Sequence, residues 1–413
     1  MHSPALIPSR IAGRATALRA VHTAARRAVR GVSLIELMTS ITIGLMILVG
    51  LSSVFVNSST SSRELKNTAE QIENGRYAIE LLTQDIRHAG YYGELSALPT
   101  VPAAAADACV APTAGTVSDA VNPTLALPVQ YIAAAGIPSG CTALLPAANL
   151  KANSDIIVVR RTDTTPLTVS CATSAAVEAD TVYLQTTPNT AEIQYGVAGT
   201  VDSTKNATGG ATALLMVRRD QTVAAGATAG TCAAAVAGQF PQVAARIRKY
   251  RTHIYFVAPC SVPAGGGTVC TGAGDDQGRP IPTLKRLELR RDLSTSSPFT
   301  IVSIVEGIEA IRFEYGVDNL PATVDINTGL IGDGNPDSNP YSNAPTVVDM
   351  GNTVAMRIYV LARNTAPTNG YIDDKTYAMG TFTTAATGDT YKRHVYGAET
   401  RIVNQAGRRE IPR

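Results

Sequence analysis

A chain of 413 residues carries 35 Lys and Arg against 33 Asp and Glu, a formal net charge of +2 at pH 7. That balance argues against a nucleic-acid binder and against attraction to an acidic partner. The length suits one large domain or two small ones. Trp is absent, and Ala, Thr, Ser and Gly abound, as in secreted, loop-rich β proteins.

The chain begins with a basic, acid-free stretch. Arg10, Arg14, Arg19, Arg26, Arg27 and Arg30 precede Gly31, and an apolar run follows from Val32 to about Val56. At 1.5 Å per residue the run makes a helix of ~38 Å, enough to span a bilayer with some tilt. It holds one charge, Glu36. A charged residue at the centre of a membrane helix costs roughly 2.5–3.5 kcal/mol, so a compensating partner is expected. A plain signal anchor would account for the run by itself. A cleaved secretory signal would have a shorter core with an Ala-x-Ala-like site after it. Here the exit reads Val56-Asn57-Ser58-Ser59-Thr60. The cationic flank predicts a cytoplasmic N-terminus, with everything from about Ser58 onward in the periplasm or outside.

The stretch Arg26-Arg27-Ala28-Val29-Arg30-Gly31-Val32-Ser33-Leu34-Ile35-Glu36-Leu37 resembles the class III signal of type IV pilins and type II secretion pseudopilins. That resemblance implies a dedicated peptidase that cuts after Gly31 and N-methylates Val32. It also implies that Glu36, fifth in the mature chain, helps subunits assemble. Two departures stand out: the family usually has Phe where Val32 stands, and a 31-residue leader is long for it.

From Ser61 to Ala89 the apolar residues Leu65, Ile72, Ile79 and Ile86 recur every seventh position, and Leu82 and Ala89 extend the seam. This predicts an amphipathic helix with one apolar stripe. No Pro occurs between Val32 and Tyr92, so the apolar helix can run into it, with Gly44, Gly50 and Gly75 as weak points and Gly90 as the stop. The expected organisation is a leader over 1–31, a membrane and assembly half over 32–56, an amphipathic half over 57–93 and a β-rich domain over 94–413.

Residues 96–153 read as an irregular surface excursion with one short strand near Val129-Gln130-Tyr131-Ile132. Strands are expected at 155–161, 181–185, 213–220, 251–257, 284–291, 308–315 and 354–361, with a weaker one from His394 to Val403. These are β-branched or alternating runs bounded by Gly, Pro, Asp and Ser. The fold class is therefore α+β, a long N-terminal helix on a mostly antiparallel sheet with large loop insertions. The basic run Arg246-Ile247-Arg248-Lys249-Tyr250-Arg251 reads as a solvated strand edge rather than a contact for DNA.

Six cysteines, all downstream of the apolar run, suit disulfides in an oxidising compartment, with 15 possible pairings. Cys260 and Cys270 flank a hairpin-like loop and are paired on that ground. Proximity then pairs Cys109 with Cys141 and Cys171 with Cys232. No Cys-x-x-Cys or Cys/His spacing favours zinc.

Three stretches narrow the family. They are Val305-Glu306-Gly307-Ile308-Glu309-Ala310-Ile311-Arg312-Phe313-Glu314-Tyr315-Gly316-Val317-Asp318, Arg357-Ile358-Tyr359-Val360-Leu361-Ala362-Arg363, and Asn74-Gly75-Arg76-Tyr77-Ala78-Ile79-Glu80-Leu81-Leu82 with its continuation to Tyr91. Together they resemble the PilW family of minor pilins, a relative of the pseudopilin GspJ. The resemblance implies a pilin-like fold and a subunit that joins other minor pilins and the major pilin to prime pilus assembly. It would act with the prepilin peptidase and the inner-membrane assembly platform, at or near the tip, against a large tip adhesin. A GspJ-like secretion role is one rival, and a membrane-anchored adhesin or binding module is another.

No His-Glu-x-x-His, Gly-x-Ser-x-Gly or phosphate-loop pattern occurs, so no catalysis and no cofactor are expected, and His253 reads as structural. Asp333, Asn335 and Asp337 alternate as calcium ligands do. Ser338 stands where an EF-hand loop has Gly, and Ala344 where it has Glu. The loop therefore reads as an Asx/Gly/Pro turn cluster, with calcium as the alternative.

Overall fold

A computed structural model describes residues 31–410, apart from 97, 114, 119, 121, 134–135, 168–177, 179–180, 189, 198–199, 203–212, 219–222, 229–241, 245, 291–297, 321–331, 338–340 and 386. The fold is α+β. The chain forms two units, Met1–Ser62 and Arg63–Arg413. Helix α1, Leu34–Arg87, contributes to both. In the first unit every helical residue from Leu34 is exposed except the half-buried Ser59. An 18-residue window of the helix is apolar enough to cross a membrane.

The second unit is built on antiparallel strands. β1 (Val129–Ile132), β2 (Ile156–Thr162), β3 (Val182–Thr186), β4 (Ala191–Val197), β5 (Arg246–Ala258), β6 (Thr283–Leu289) and β7 (Phe299–Glu306) belong to a nine-stranded sheet completed by short strands at Gly115–Thr116 and Thr200–Asp202. A second sheet joins β8 (Ile308–Val317), β9 (Thr353–Arg363) and β12 (Arg393–Arg401), with β9 central. β10 (Tyr377–Met379) and β11 (Phe382–Thr384) form a hairpin. Three strands at Ala213–Arg218, Val223–Thr228 and Gln242–Ala244 form a further sheet. The short helix α2 (Val347–Gly351) precedes β9, and α3 (Val403–Glu410) follows β12.

The larger sheet is buried on both faces, because its side chains alternate. Ile156, Val158, Ile254, Phe256 and Leu287 point into one core. Ile157, Val159, Tyr255, Val257 and Leu284 point into another, shared with Ala78, Leu82, Ile86 and Ala89 of α1 and with Ile311, Phe313, Met356, Ile358 and Val360 of the smaller sheet. Asp155 links the two sheets: its oxygens take the Phe313 amide at 3.0 Å and the Arg312 guanidinium at 2.7 Å.

Three expectations are corrected here. First, the buried positions of α1 are Gln71, Gly75, Ala78, Leu82, Asp85 and Ile86, whereas Leu65 is 70% and Ile72 44% exposed. Residues seven apart drift by about 20° per heptad on a straight helix. Over the three heptads from Leu65 to Ile86, the stripe therefore turns from solvent into the core. Second, 96–153 is more than a surface excursion. Cys109, Leu125, Leu127, Ile132, Cys141 and Leu145 are all buried, most of them in the core on the outer face of the larger sheet. Buried Arg160 secures the excursion by donating to the Leu127 carbonyl and to Gln130 Oε1.

Third, the basic run at 246–251 is not an edge. β5 is long enough to pair with β3 through Arg246–Lys249 and with β2 through Tyr250–Tyr255, while its later residues pair with β6. The cations are compensated there. Arg246 meets Glu94 at 3.3 Å, Lys249 meets Glu178 at 2.6 Å and Arg251 meets Asp163 at 3.0 Å. Buried Arg248 donates to the Thr164 carbonyl and lies 5.5 Å from the Tyr91 ring.

Candidate functional site: the long helix and its seat

Gly31, Val32 and Ser33 lead into α1, whose first bond runs from the Leu37 amide to the Ser33 carbonyl at 3.0 Å. Glu36 lies in the first turn, where an acid is favoured by the helix dipole. Its carbonyl accepts from Thr39 Oγ1 at 3.0 Å and Ser40 Oγ at 2.6 Å. Among the described residues its carboxylate has no ionic partner. Among the described residues, a Cβ placed on Gly31, Gly44 or Gly50 would meet nothing within 4 Å, so packing against them does not ask for glycine there. Residues 1–30 lie outside the described residues.

The second unit seats its part of α1 on a buried carboxylate. Asp85 Oδ1 accepts from Arg161 Nε at 2.6 Å, and Asp85 Oδ2 lies 2.7 Å from His253 Nδ1 and accepts from the Tyr255 hydroxyl at 2.8 Å. Burial alone would push the Asp85 carboxyl up. His253 and Arg161 outweigh it and hold the group well below the usual carboxylate range. Burial, with Asp85 alongside, pushes the Tyr255 hydroxyl well up, so it stays a proton donor. A cleft of about 480 Å³ opens over this cluster, lined by Tyr77, Glu80, Gln84, His88, Arg161 and Arg286 among others.

Two further contacts fix the helix. Gln71 Nε2 donates to the carbonyls of Ala362 and Lys392 at 2.9 and 3.0 Å. Gly75 lets the Tyr396 ring lie against the backbone, where an added Cβ would stand 2.1 Å from Tyr396 Cε2. The helix then stops as its sequence asks: Gly90 takes φ 73°, a left-handed value that glycine adopts freely. α3 satisfies the last carbonyls. Asn404 Nδ2 donates to Ala89 O at 3.2 Å and Arg408 to Gly90 O at 2.8 Å. Nothing in the heptad pattern pointed to Gln71, Gly75 or Asp85, because their role depends on strands far away in sequence.

Residues 268–404 match the family model of PilW, the type IV pilus-assembly protein W. No curated protein and no solved structure matches the chain. The matched segment spans β6 to β12, and two of the three stretches that carry the resemblance, 305–318 and 357–363, fall inside it. The third, 74–91, precedes it. The match supports a role in type IV pilus assembly, and the long apolar helix fits a membrane-anchored protein.

The remaining candidate residues fall in several places. Cys260 and Cys270 are joined by a disulfide, as are Cys109 and Cys141. Cys171 and Cys232 lie outside the described residues. The Cys260–Cys270 loop is tied down by Asp275, which accepts the amides of Ala264, Thr271 and Gly272. Those bonds, the one from Ala264 foremost, hold its carboxyl down at about 2. Of the candidate calcium ligands, Asp333 Oδ1 accepts the Asn335 amide at 2.9 Å and Asp337 Oδ2 the Asn319 amide at 2.5 Å. The first is the bond of an Asx turn, whereas the second ties the loop to the chain just after β8. His253 sits in the Asp85 cluster, a structural place.

Proposed function

We propose that this chain is a PilW-like minor pilin that takes part in initiating type IV pilus assembly, at or near the pilus tip. Its role is assembly rather than catalysis. A prepilin peptidase cuts after Gly31 and N-methylates Val32. The helix holds the protein in the inner membrane, N-terminus inside, until it enters the fibre with other minor pilins and the major pilin at the assembly platform. A tip adhesin is a further partner.

The observation that carries this reading is the PilW match at 268–404 in a chain whose N-terminal helix exposes its apolar side chains all round. Such a surface needs lipid or other helices. In lipid, an unpaired Glu36 is costly. In a fibre, the free amine of Val32, its own or a neighbour's, would compensate it. Glycine at 31 has no packing reason among the described residues, which suits a residue retained for a peptidase.

N-terminal mass spectrometry on sheared surface fibres and on membranes tests the proposal. A mature chain beginning at Val32 in the sheared fraction is expected. A Val32 start confined to membranes would favour a GspJ-like pseudopilin. An uncut leader in both fractions would reduce the protein to a membrane-anchored domain and overturn the reading.

A further inference from the structure

Within the second unit, α1 is held in two different ways. From Gly75 onward the contacts are those of a core: Ala78, Leu82, Ile86 and Ala89 are fully buried. From Arg63 to Asn74 the only buried residue is Gln71. What holds this stretch is polar: Gln71 donates to the Ala362 carbonyl at 2.9 Å, and the other bonds converge on Lys392 and its neighbourhood. Lys392 Nζ meets Glu64 Oε2 at 2.7 Å, and its carbonyl takes the Gln71 amide at 3.0 Å. Thr368 Oγ1 reaches the same Glu64 oxygen at 3.4 Å. Lys392 also lies 5.8 Å from the Tyr371 ring. Thr368, Tyr371 and Lys392 all belong to the long connection between β9 and β12. That connection is itself pinned by charge, since Arg393 is bonded to Glu309, Asp373 and Asp389.

We propose that Glu64, Lys392 and Thr368 form a salt-labile latch that lets the domain hold α1 either from Arg63 or only from Gly75, without disturbing its core. The Glu64 and Lys392 side chains are 25% and 39% exposed. A pair so exposed is weak and screened by salt, whereas the apolar contacts beyond Gly75 are not. The two stretches therefore open with different free energies, as locally cooperative units do. The latch is a conformational device that sets how many helical residues the domain retains. It stands whether the chain serves a pilus or a secretion machine.

Hydrogen exchange on the detergent-solubilised full chain, read by peptide mass spectrometry, tests it. Glu64→Gln and Lys392→Met should each speed exchange of the amides at 63–74 by roughly two- to fivefold at low salt. The amides at 78–87 should stay as they are. The double variant should be no faster than either single one, because both remove the same bond. Raising the salt to about 0.5 M should bring the wild type to the variants' rate and leave the variants unchanged. Unchanged exchange at 63–74 in both variants, or equal acceleration at 78–87, would overturn the latch.

Discussion

Residues 34–62 and residues 63–87 share one helix, yet hydropathy predicts burial in neither. The first stretch is the most apolar in the chain and nearly all of it is exposed. The second is mixed in composition, and what it buries includes Gln71, Gly75 and Asp85 beside Ala78, Leu82 and Ile86. Burial follows from what is available to pack against. The second stretch has two sheets of its own chain, whose strands supply Arg161, His253 and Tyr255 for a buried charge. Among the described residues of its own unit the first has no such surface, which fits lipid or another subunit as its partner. One stretch is packed against its own chain, and the other, on the proposed reading, is left for an assembly.

The sharpest way to break that contrast is to remove the features of the first stretch that have no internal role. Gly31→Ala should abolish processing and leave a membrane-retained precursor, seen as a mass shift of the whole leader on immunoblots. Glu36→Ala should be processed yet be absent from sheared fibres. Normal processing of the first, or wild-type fibre levels of the second, would show that these residues serve nothing outside the chain. Neither change should move the melting temperature of the β-rich domain.

The second stretch should behave in the opposite way. Asp85→Ala leaves Arg161 and His253 without their shared carboxylate, a loss that costs about 3–5 kcal/mol in buried pairs. Thermal unfolding measures it directly. The pH dependence has a definite sign. The Asp85 carboxyl is held below its unfolded value of 3.8, so its stabilisation is complete above about pH 4 and declines as the pH falls further. The melting-temperature gap between wild type and Asp85→Asn should therefore narrow on acidification below pH 4. A gap that stays constant would mean that the carboxylate's charge is not what matters.

Much of this organisation was legible in the sequence. The apolar run, the absence of Pro and the glycine stop gave a helix whose observed ends, Leu34 and Arg87, lie close to those expected. The β-branched runs gave most of the long strands. What failed was sidedness. Spacing by seven kept Leu65 and Ile86 on one nominal stripe, while a real helix turns them 60° apart by the drift of about 20° per heptad. The basic run at 246–251 looked like an edge because Arg and Lys usually are solvated. Only the fold brings up the acids that compensate them, Glu94, Asp163 and Glu178, all of which lie off the strands that pair with β5. Strands β4 and β7 were missed outright: Ala191–Val197 does alternate apolar and polar residues and could have been found, whereas Phe299–Glu306 carries little alternation. The roles of Gly31, Val32 and Glu36 came from resemblance, although Glu36 already stood out as the one charge in the apolar run, and among the described residues no contact points to those roles.

A finer test lies at Gly75, which looked like a weak point of the helix. Glycine there costs roughly 0.5–1 kcal/mol relative to alanine in a helix interior, so Gly75→Ala should stabilise an isolated helix. In the folded unit the new Cβ would stand 2.1 Å from the Tyr396 ring, and overpacking of that kind costs about 1–3 kcal/mol. The clash should win, and Gly75→Ala should lower the melting temperature.

The smallest effects are expected at Leu65 and Ile72, which the heptad reading placed in the core. Leu65→Ser and Ile72→Ser should change unfolding free energy by no more than about 0.5 kcal/mol, as exposed positions do. Leu82→Ala or Ile86→Ala should cost about 2–5 kcal/mol. Denaturant titration of the four variants separates the two groups. The same Ser variants should be scored for recovery in sheared fibres, since the outward residues have nothing to do for the domain itself. Lost recovery with unchanged stability would extend the assembly surface beyond Ser62. Full recovery would confine it to the first unit, where hydropathy and exposure already coincide.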